Sequence, residues 1–146
     1  MDERRKVDIL IADDSAVMRK IIAKTIRLSG LAAGDILEAE NGAQALERLA
    51  GRKVDLALVD LNMPVMDGEE FIDRLRASAD WRDTLVIVVS TESSDERVAS
   101  LAAKTDGFVH KPFGPEELRD AIFKTLGIKN ESGNGDCAQA GGPSDF

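Results

Sequence analysis

The chain has 146 residues, enough for one domain with a short appendage and too few for two. Its 43% hydrophobic content supports a real core, and 19 Lys and Arg against 27 Asp and Glu give a formal charge of −8, a poor balance for gripping nucleic-acid phosphates. No apolar run approaches the roughly 20 residues of a helical membrane span, residues 1–8 lack the apolar stretch of a signal peptide, and one cysteine, Cys137, with one histidine, His110, excludes an internal disulfide and a multi-histidine or thiolate zinc site. The expectation is a cytoplasmic protein that neither binds nucleic acid nor inserts into a membrane.

Taken in chain order, the first apolar run is Val7-Asp8-Ile9-Leu10-Ile11-Ala12, a short β-branched strand ending in Asp13-Asp14. From Ser15 the period changes, and Val17, Ile21, Thr25 and Leu28 recur at helical spacing with Met18 and Ile22 beside them. Residues 36–40 read as a weaker strand. Asn41 then caps a helix with Gln44 at the capping-box position, Leu46 and Leu49 on one face, and Gly51 closing it. Residues 54–59 form an apolar run interrupted only by Asp55 and ended by Asp60. Residues 67–77 predict a helix burying Phe71, Ile72 and Leu75. Five consecutive apolar residues, 85–89, mark a central strand covered on both faces. Ser93-Ser94-Asp95-Glu96 reads as a capping box opening a helix with Val98, Leu101 and Ala102 inward. Phe108-Val109 is a short last strand. Pro115 at a first helical position, Leu118 and Ile122 inside and Gly127 past the end define the last helix. After Lys129 the composition shifts to NESGNGDCAQAGGPSDF, without a basic residue or apolar periodicity. Residues 1–129 are therefore expected to form the domain, and 130–146 a flexible Gly-rich acidic tail or linker stub.

Five strands alternating with five helices predict an α/β fold, a doubly wound parallel sheet between two helix layers with right-handed crossovers. Chemistry in such sheets sits beyond the carboxyl ends of the strands. There the chain places Asp13 and Asp14 after the first strand, Asp60 after the third, Ser90 and Thr91 after the fourth, and His110 and Lys111 after the fifth. Three carboxylates close together repel by kcal/mol amounts unless a cation joins them. An all-oxygen set favours a hard divalent ion, Mg²⁺ above others, with Lys111 as a second positive charge. A hard cation, an ammonium and a hydroxyl around one carboxylate suit phosphoryl transfer, with Asp60 as the nucleophile at the centre of the sheet. Taken singly, each element has an ordinary role: an Asp-Asp pair caps turns and helices, Ser90 ends a strand, Lys111 precedes a proline, and His110 is a solvated surface residue. The functional reading rests on their coincidence at successive strand ends.

The segments Ile11-Ala12-Asp13-Asp14, Leu58-Val59-Asp60-Leu61-Asn62-Met63-Pro64-Val65-Met66-Asp67-Gly68, Val89-Ser90-Thr91-Glu92 and Gly107-Phe108-Val109-His110-Lys111-Pro112-Phe113 together resemble the receiver domain of bacterial two-component response regulators over residues 7–127. The resemblance implies a flavodoxin-like (βα)5 fold with strand order 2-1-3-4-5. It implies that Asp60 takes a phosphoryl group from the phosphohistidine of a sensor histidine kinase or phosphotransfer protein. Asp14, Asp60 and the Asn62 carbonyl would bind Mg²⁺ directly and Asp13 through water; Ser90 and Lys111 would contact the phosphoryl oxygens. Ser90 and Phe108 would form the switch, and the Lys111–Pro112 bond would be cis. The product would be a signalling protein that catalyses only its own phosphorylation and dephosphorylation, monomeric or weakly dimeric. Its output partner would bind the surface of the fourth helix, fifth strand and fifth helix. The absence of an output domain after Lys129 makes it most similar to the single-domain, CheY-like group, which points to chemotaxis or comparable signalling.

Two departures from the family pattern stand out. Thr91 occupies a position where many receivers carry Ala or Gly, and Phe108 lacks the hydroxyl of the alternative tyrosine. The resemblance implies that Asn62 and Glu92 flank the water that would attack an aspartyl phosphate. Three rival readings fare worse. Haloacid-dehalogenase-type phosphatases need an acid two residues after the nucleophile, where this chain has Asn62; an FMN carrier needs a glycine- and hydroxyl-rich loop after the first strand; a degenerate, purely binding receiver would not keep Asp13, Asp14, Asp60, Ser90 and Lys111.

Overall fold

A computed structural model describes residues 6–128; the expected tail, 130–146, lies outside them. Ten elements alternate: β1 Val7–Ala12, α1 Ala16–Leu28, β2 Ala33–Ala39, α2 Gly42–Leu49, β3 Leu56–Val59, α3 Gly68–Ala77, β4 Leu85–Ser90, α4 Asp95–Ala102, β5 Gly107–His110 and α5 Pro115–Leu126. The strands form one parallel sheet in the order β2-β1-β3-β4-β5, the doubly wound flavodoxin-like arrangement. Ile9, Leu56 and Leu85 stand in register across the three central strands, as do Ala12, Val59 and Val88 at their carboxyl ends.

Strand alternation divides the core in two. Leu10, Ala12, Ala57, Val59, Val86 and Val88 face a layer made by Ala45 and Leu49 of α2, Phe71, Ile72 and Leu75 of α3, and Leu101 of α4. Ile9, Ile11, Leu56, Leu58, Ile87 and Val89 face Ile22 and Ile26 of α1 and Leu118, Ile122 and Phe123 of α5. Burial on both faces explains why these strands are continuous apolar runs, and each buried Val, Leu or Ile contributes roughly 1.5–3 kcal/mol.

Helix starts are written in side chains: Ser15, Asn41, Asp67 and Ser94 each accept a hydrogen bond from the backbone N–H three residues on. The fourth of these corrects the expected capping box. Ser94, not Ser93, is the cap, so the third helical position is Arg97 and not the acidic residue a box requires. In α1 the stripe through Ile22 and Ile26 is buried, while Val17, Ile21 and Leu28 face outward. One further expectation fails. Ala102 is exposed, leaving Leu101 as the buried residue of α4.

Candidate functional site

The sheet ladder delivers backbone to the site and stops there. Asp13 N–H donates to the Ala39 carbonyl, Asp60 N–H to Ala12 and Lys111 N–H to Ser90, at 3.0, 2.9 and 2.8 Å. These bonds fix the first residue past β1, β3 and β5, so the side chains beyond them are aimed by the sheet and not by loops. Gly68 is needed for the same reason. Its backbone lies against the Asp60 carbonyl so closely that any Cβ would collide with it, while its N–H donates to Leu61.

Asp13, Asp14 and Asp60 bring carboxylate oxygens within 4.8 Å of one another. Asp13 and Asp60 are buried and Asp14 is exposed, so the cluster is a pit open on one side. Lys111 reaches into it, with Nζ 2.8 Å from Asp13 Oδ2 and 3.6 Å from Asp60 Oδ2. Asp13 is held from two more directions: its Oδ1 accepts from Ser15 N–H and its carbonyl accepts from the Arg19 guanidinium. Arg19 also donates to Glu38 at the end of β2, tying the acid pair to the neighbouring strand.

Burial makes the site unfavourable to ionised Asp60. Burial raises its pKa above the ordinary 3.8; Lys111 pulls it down, Asp13 pushes it up, the Asn62 backbone N–H pulls it down and Asp14 pushes it up. The net direction is upward with burial as its first cause, and by formal count the pit sets three carboxylates against one ammonium. Three converging oxygen donors with a charge deficit of this sign fit a hard divalent cation, and nothing in the donor set suits a softer metal.

Ser90 is fully buried at the end of β4 and its Oγ accepts from the Glu92 N–H at 3.1 Å. The Glu92 carboxylate is engaged in turn by the Ser94 N–H and lies 3.7 Å from Arg97, which joins the strand end to the first turn of α4. Phe108 is half-buried against the α2–α3–α4 layer. The Lys111–Pro112 bond is cis, as expected. His110 is exposed, next to the cluster but outside it. Thr91 is likewise exposed.

Three features escaped sequence reading: Arg19 as a clamp on Asp13, Arg97 as a partner of Glu92, and the conformation of Val65. Met66 N–H donates to the Pro64 carbonyl, closing a three-residue turn with Val65 at φ +69°. A β-branched residue there is strained by on the order of 1–3 kcal/mol. Asn or Gly would have signalled such a turn; valine hides it.

Comparison with known proteins agrees with this geometry. Residues 9–123 match the model of the response regulator receiver domain. A chemotaxis protein CheY homolog of Campylobacter jejuni is 35% identical over 127 residues, covering 86% of this chain and 96% of that protein. Chemotaxis protein CheY1 of Helicobacter pylori is 35% identical over 124 residues, covering 84% and 98%. Among solved structures, the chemotaxis response regulator CheY4 of Vibrio cholerae superposes with a TM-score of 0.75 at 29% identity, covering 84% of this chain and all of that one. With an acid pit at the switch point of a 2-1-3-4-5 sheet and relatives of this closeness, the chain belongs to the response regulator receiver domain family, on its CheY-like side.

Proposed function

We propose that this receiver is a phosphorylation switch in which Asp60 accepts a phosphoryl group from the phosphohistidine of a histidine kinase or phosphotransfer protein. The observation that carries the reading is the convergence of Asp13, Asp14 and Asp60 with Lys111 at the end of the central strand. An Asp60 carboxylate oxygen attacks phosphorus, the phosphorus–nitrogen bond breaks, and its electron pair leaves on the imidazole of the donor. Asp14, Asp60 and the Asn62 carbonyl would hold Mg²⁺, with Asp13 acting through water; when bound, the ion supplies positive charge to the phosphoryl oxygens. Lys111 supplies the second positive charge from the protein itself.

Phosphorylation adds about −1.5 to −2 charges and three acceptor oxygens. Ser90, whose hydroxyl hydrogen is free to donate while its oxygen holds the Glu92 N–H, turns toward those oxygens and draws on the α4 end of the chain. Phe108 then packs into the space released, and the surface of α4, β5 and α5 changes for an output partner. The test is direct. Purified protein incubated with Mg²⁺ and acetyl phosphate should gain one phosphoryl mass, and Asp60→Asn should gain none. Full uptake by Asp60→Asn would sink the assignment.

A further inference from the structure

The loop that follows Asp60 is seated on the start of α2 through Met66. Its N–H donates to the Pro64 carbonyl at 2.7 Å, and its carbonyl accepts from the Gly42 N–H at 2.8 Å. Its side chain lies against the same glycine. A Cβ on Gly42 would stand 2.7 Å from Met66 Cγ, 2.8 Å from its carbonyl oxygen and 2.9 Å from Sδ, so the contact has no room for one added carbon. Gly42 is buried and Met66 is half-buried, packed on the α2–α3–α4 layer. The residue before it opposes this seat: Val65 holds φ +69° with its side chain 84% exposed, a strained conformation that persists only while its surroundings fix it. The loop also reaches the pit directly. The Asn62 N–H bonds to the Asp60 carboxylate, and Gly68 lies against the Asp60 carbonyl.

A thioether is the chemically soft point of such a seat. With a peroxide, a sulfur lone pair attacks one peroxide oxygen, the oxygen–oxygen bond breaks, and the other oxygen leaves as hydroxide and is protonated to water. Sulfur is oxidised by two electrons and the peroxide is reduced by two. The new sulfoxide oxygen is a strong acceptor on a sulfur that touches the Gly42 backbone, and the Gly42 N–H already serves the Met66 carbonyl. While the loop stays seated, that oxygen has neither space nor this donor. We propose that Met66 is a peroxide-sensitive modification site whose sulfoxide unseats residues 61–68 from α2 and lowers phosphoryl acceptance at Asp60. Reduction by a methionine sulfoxide reductase with a dithiol removes the oxygen as water and restores the seat. Met63, in the same loop, is 9% exposed within the core, and Met18 packs in the layer on the other face of the sheet. The consequence for Asp60 rests on the phospho-acceptor reading; the seat itself does not.

The probe is hydrogen peroxide, applied to the full wild-type chain and to Met66→Leu, which keeps the size and removes the sulfur. Peptide masses locate the oxygen. In the wild type, oxidation of Met66 should speed amide exchange at Gly42 at least tenfold and slow phosphorylation by acetyl phosphate at least fivefold, and reductase with dithiothreitol should reverse both. Met66→Leu should keep both properties within twofold of its untreated value, although its other methionines and Cys137 meet the same peroxide. Met66→Gln, polar and of similar length, should reproduce the losses without oxidant. The proposal is overturned if Met66 stays reduced while Met18 is oxidised, or if its sulfoxide leaves Gly42 exchange and the phosphorylation rate unchanged. Equal loss in peroxide-treated Met66→Leu would also overturn it, by placing the damage elsewhere. Failure of acetyl phosphate on the untreated wild type would instead remove the phospho-acceptor reading, and Gly42 exchange would still decide whether oxidation unseats the loop.

Discussion

Helices α4 and α5 pack on opposite faces of the sheet beside the edge strand β5, and different forces hold them. Helix α5 buries Leu118, Ile122 and Phe123, starts with Pro115 after a Gly114 N–H bonded to Glu117, and ends in a left-handed Gly127 whose N–H caps Lys124. Helix α4 buries Leu101 alone among its eight residues. Charge ties it to α3: Arg97 lies 3.0 Å from Glu69, and Lys104, in the turn just past α4, lies 3.1 Å from Glu69 and 2.7 Å from Asp73. Three buried apolar side chains against one is a difference of several kcal/mol at roughly 1.5–3 each, while half-exposed ion pairs contribute about 0–1 kcal/mol apiece. The lesson is that the fold invests its hydrocarbon in α5 and leaves α4 cheap to displace. That is the helix whose first turn is joined to Ser90 through Glu92.

The largest test of this contrast is a pair of truncations. Ile122→Ala should cost about 2–5 kcal/mol of global stability, because it opens a cavity in a layer shared with β3, β4 and α1. Leu101→Ala should instead release α4 locally: amide exchange over residues 95–102 should accelerate tenfold or more while β3 and β4 keep their protection. Equal losses of global stability in denaturant would break the comparison.

The second test sets buried charge against exposed charge. Asp60 is 6% exposed and its pKa is raised, first by burial. A carboxylate whose folded pKa lies above its unfolded value is destabilising when ionised, so the penalty is complete above the folded pKa and vanishes below the ordinary 3.8. Asp60→Asn, measured with EDTA present, should therefore melt a few degrees higher than wild type at pH 7, and the gap should close as pH falls toward 3.8. A gap that widens on acidification would reverse the sign of the argument.

The sequence exposed most of this architecture because strand ends are marked twice, by the stop of an apolar run and by a polar residue after it. Asp13, Asp60 and Ser90 directly follow such a stop, and Lys111 lies two residues past one, directly after β5. Helix faces were less legible. Val17–Ile21–Leu28 and Met18–Ile22–Ile26 are adjacent apolar stripes one residue apart, and periodicity alone does not say which meets the sheet. The family motifs named the acid pit but not its supports. Arg19 on Asp13 and Arg97 on Glu92 are contacts across elements, and an arginine on a helix surface carries no local sign of its partner. Glu92 likewise carries contacts that its position does not announce, to the Ser94 N–H and Arg97 at the start of α4.

The smallest effect sharpens the comparison most. Glu69→Gln removes the acid shared by Arg97 and Lys104 and leaves Asp73 on Lys104 alone. Global stability should change by no more than about 1 kcal/mol, the ordinary worth of exposed pairs. Exchange protection in α4 should fall nonetheless, since with Leu101 as its buried anchor the helix has little else to lose. Salt should imitate the mutation: at 1 M ionic strength the screening length is about 3 Å, and wild-type α4 should exchange like the variant. Alkali should do the same from the other partner. The Lys104 ammonium is held above its usual 10.5 by the hydrogen bond to Asp73, against a smaller cost of burial and with help from Glu69. A lysine with a raised folded pKa contributes in full below the unfolded value and loses that contribution as pH rises through the folded one. The tether should therefore persist across the neutral range and weaken only above pH 10.5. If α4 protection ignores Glu69, salt and alkali alike, then Leu101 holds the helix unaided and charge has no part in setting how readily α4 moves.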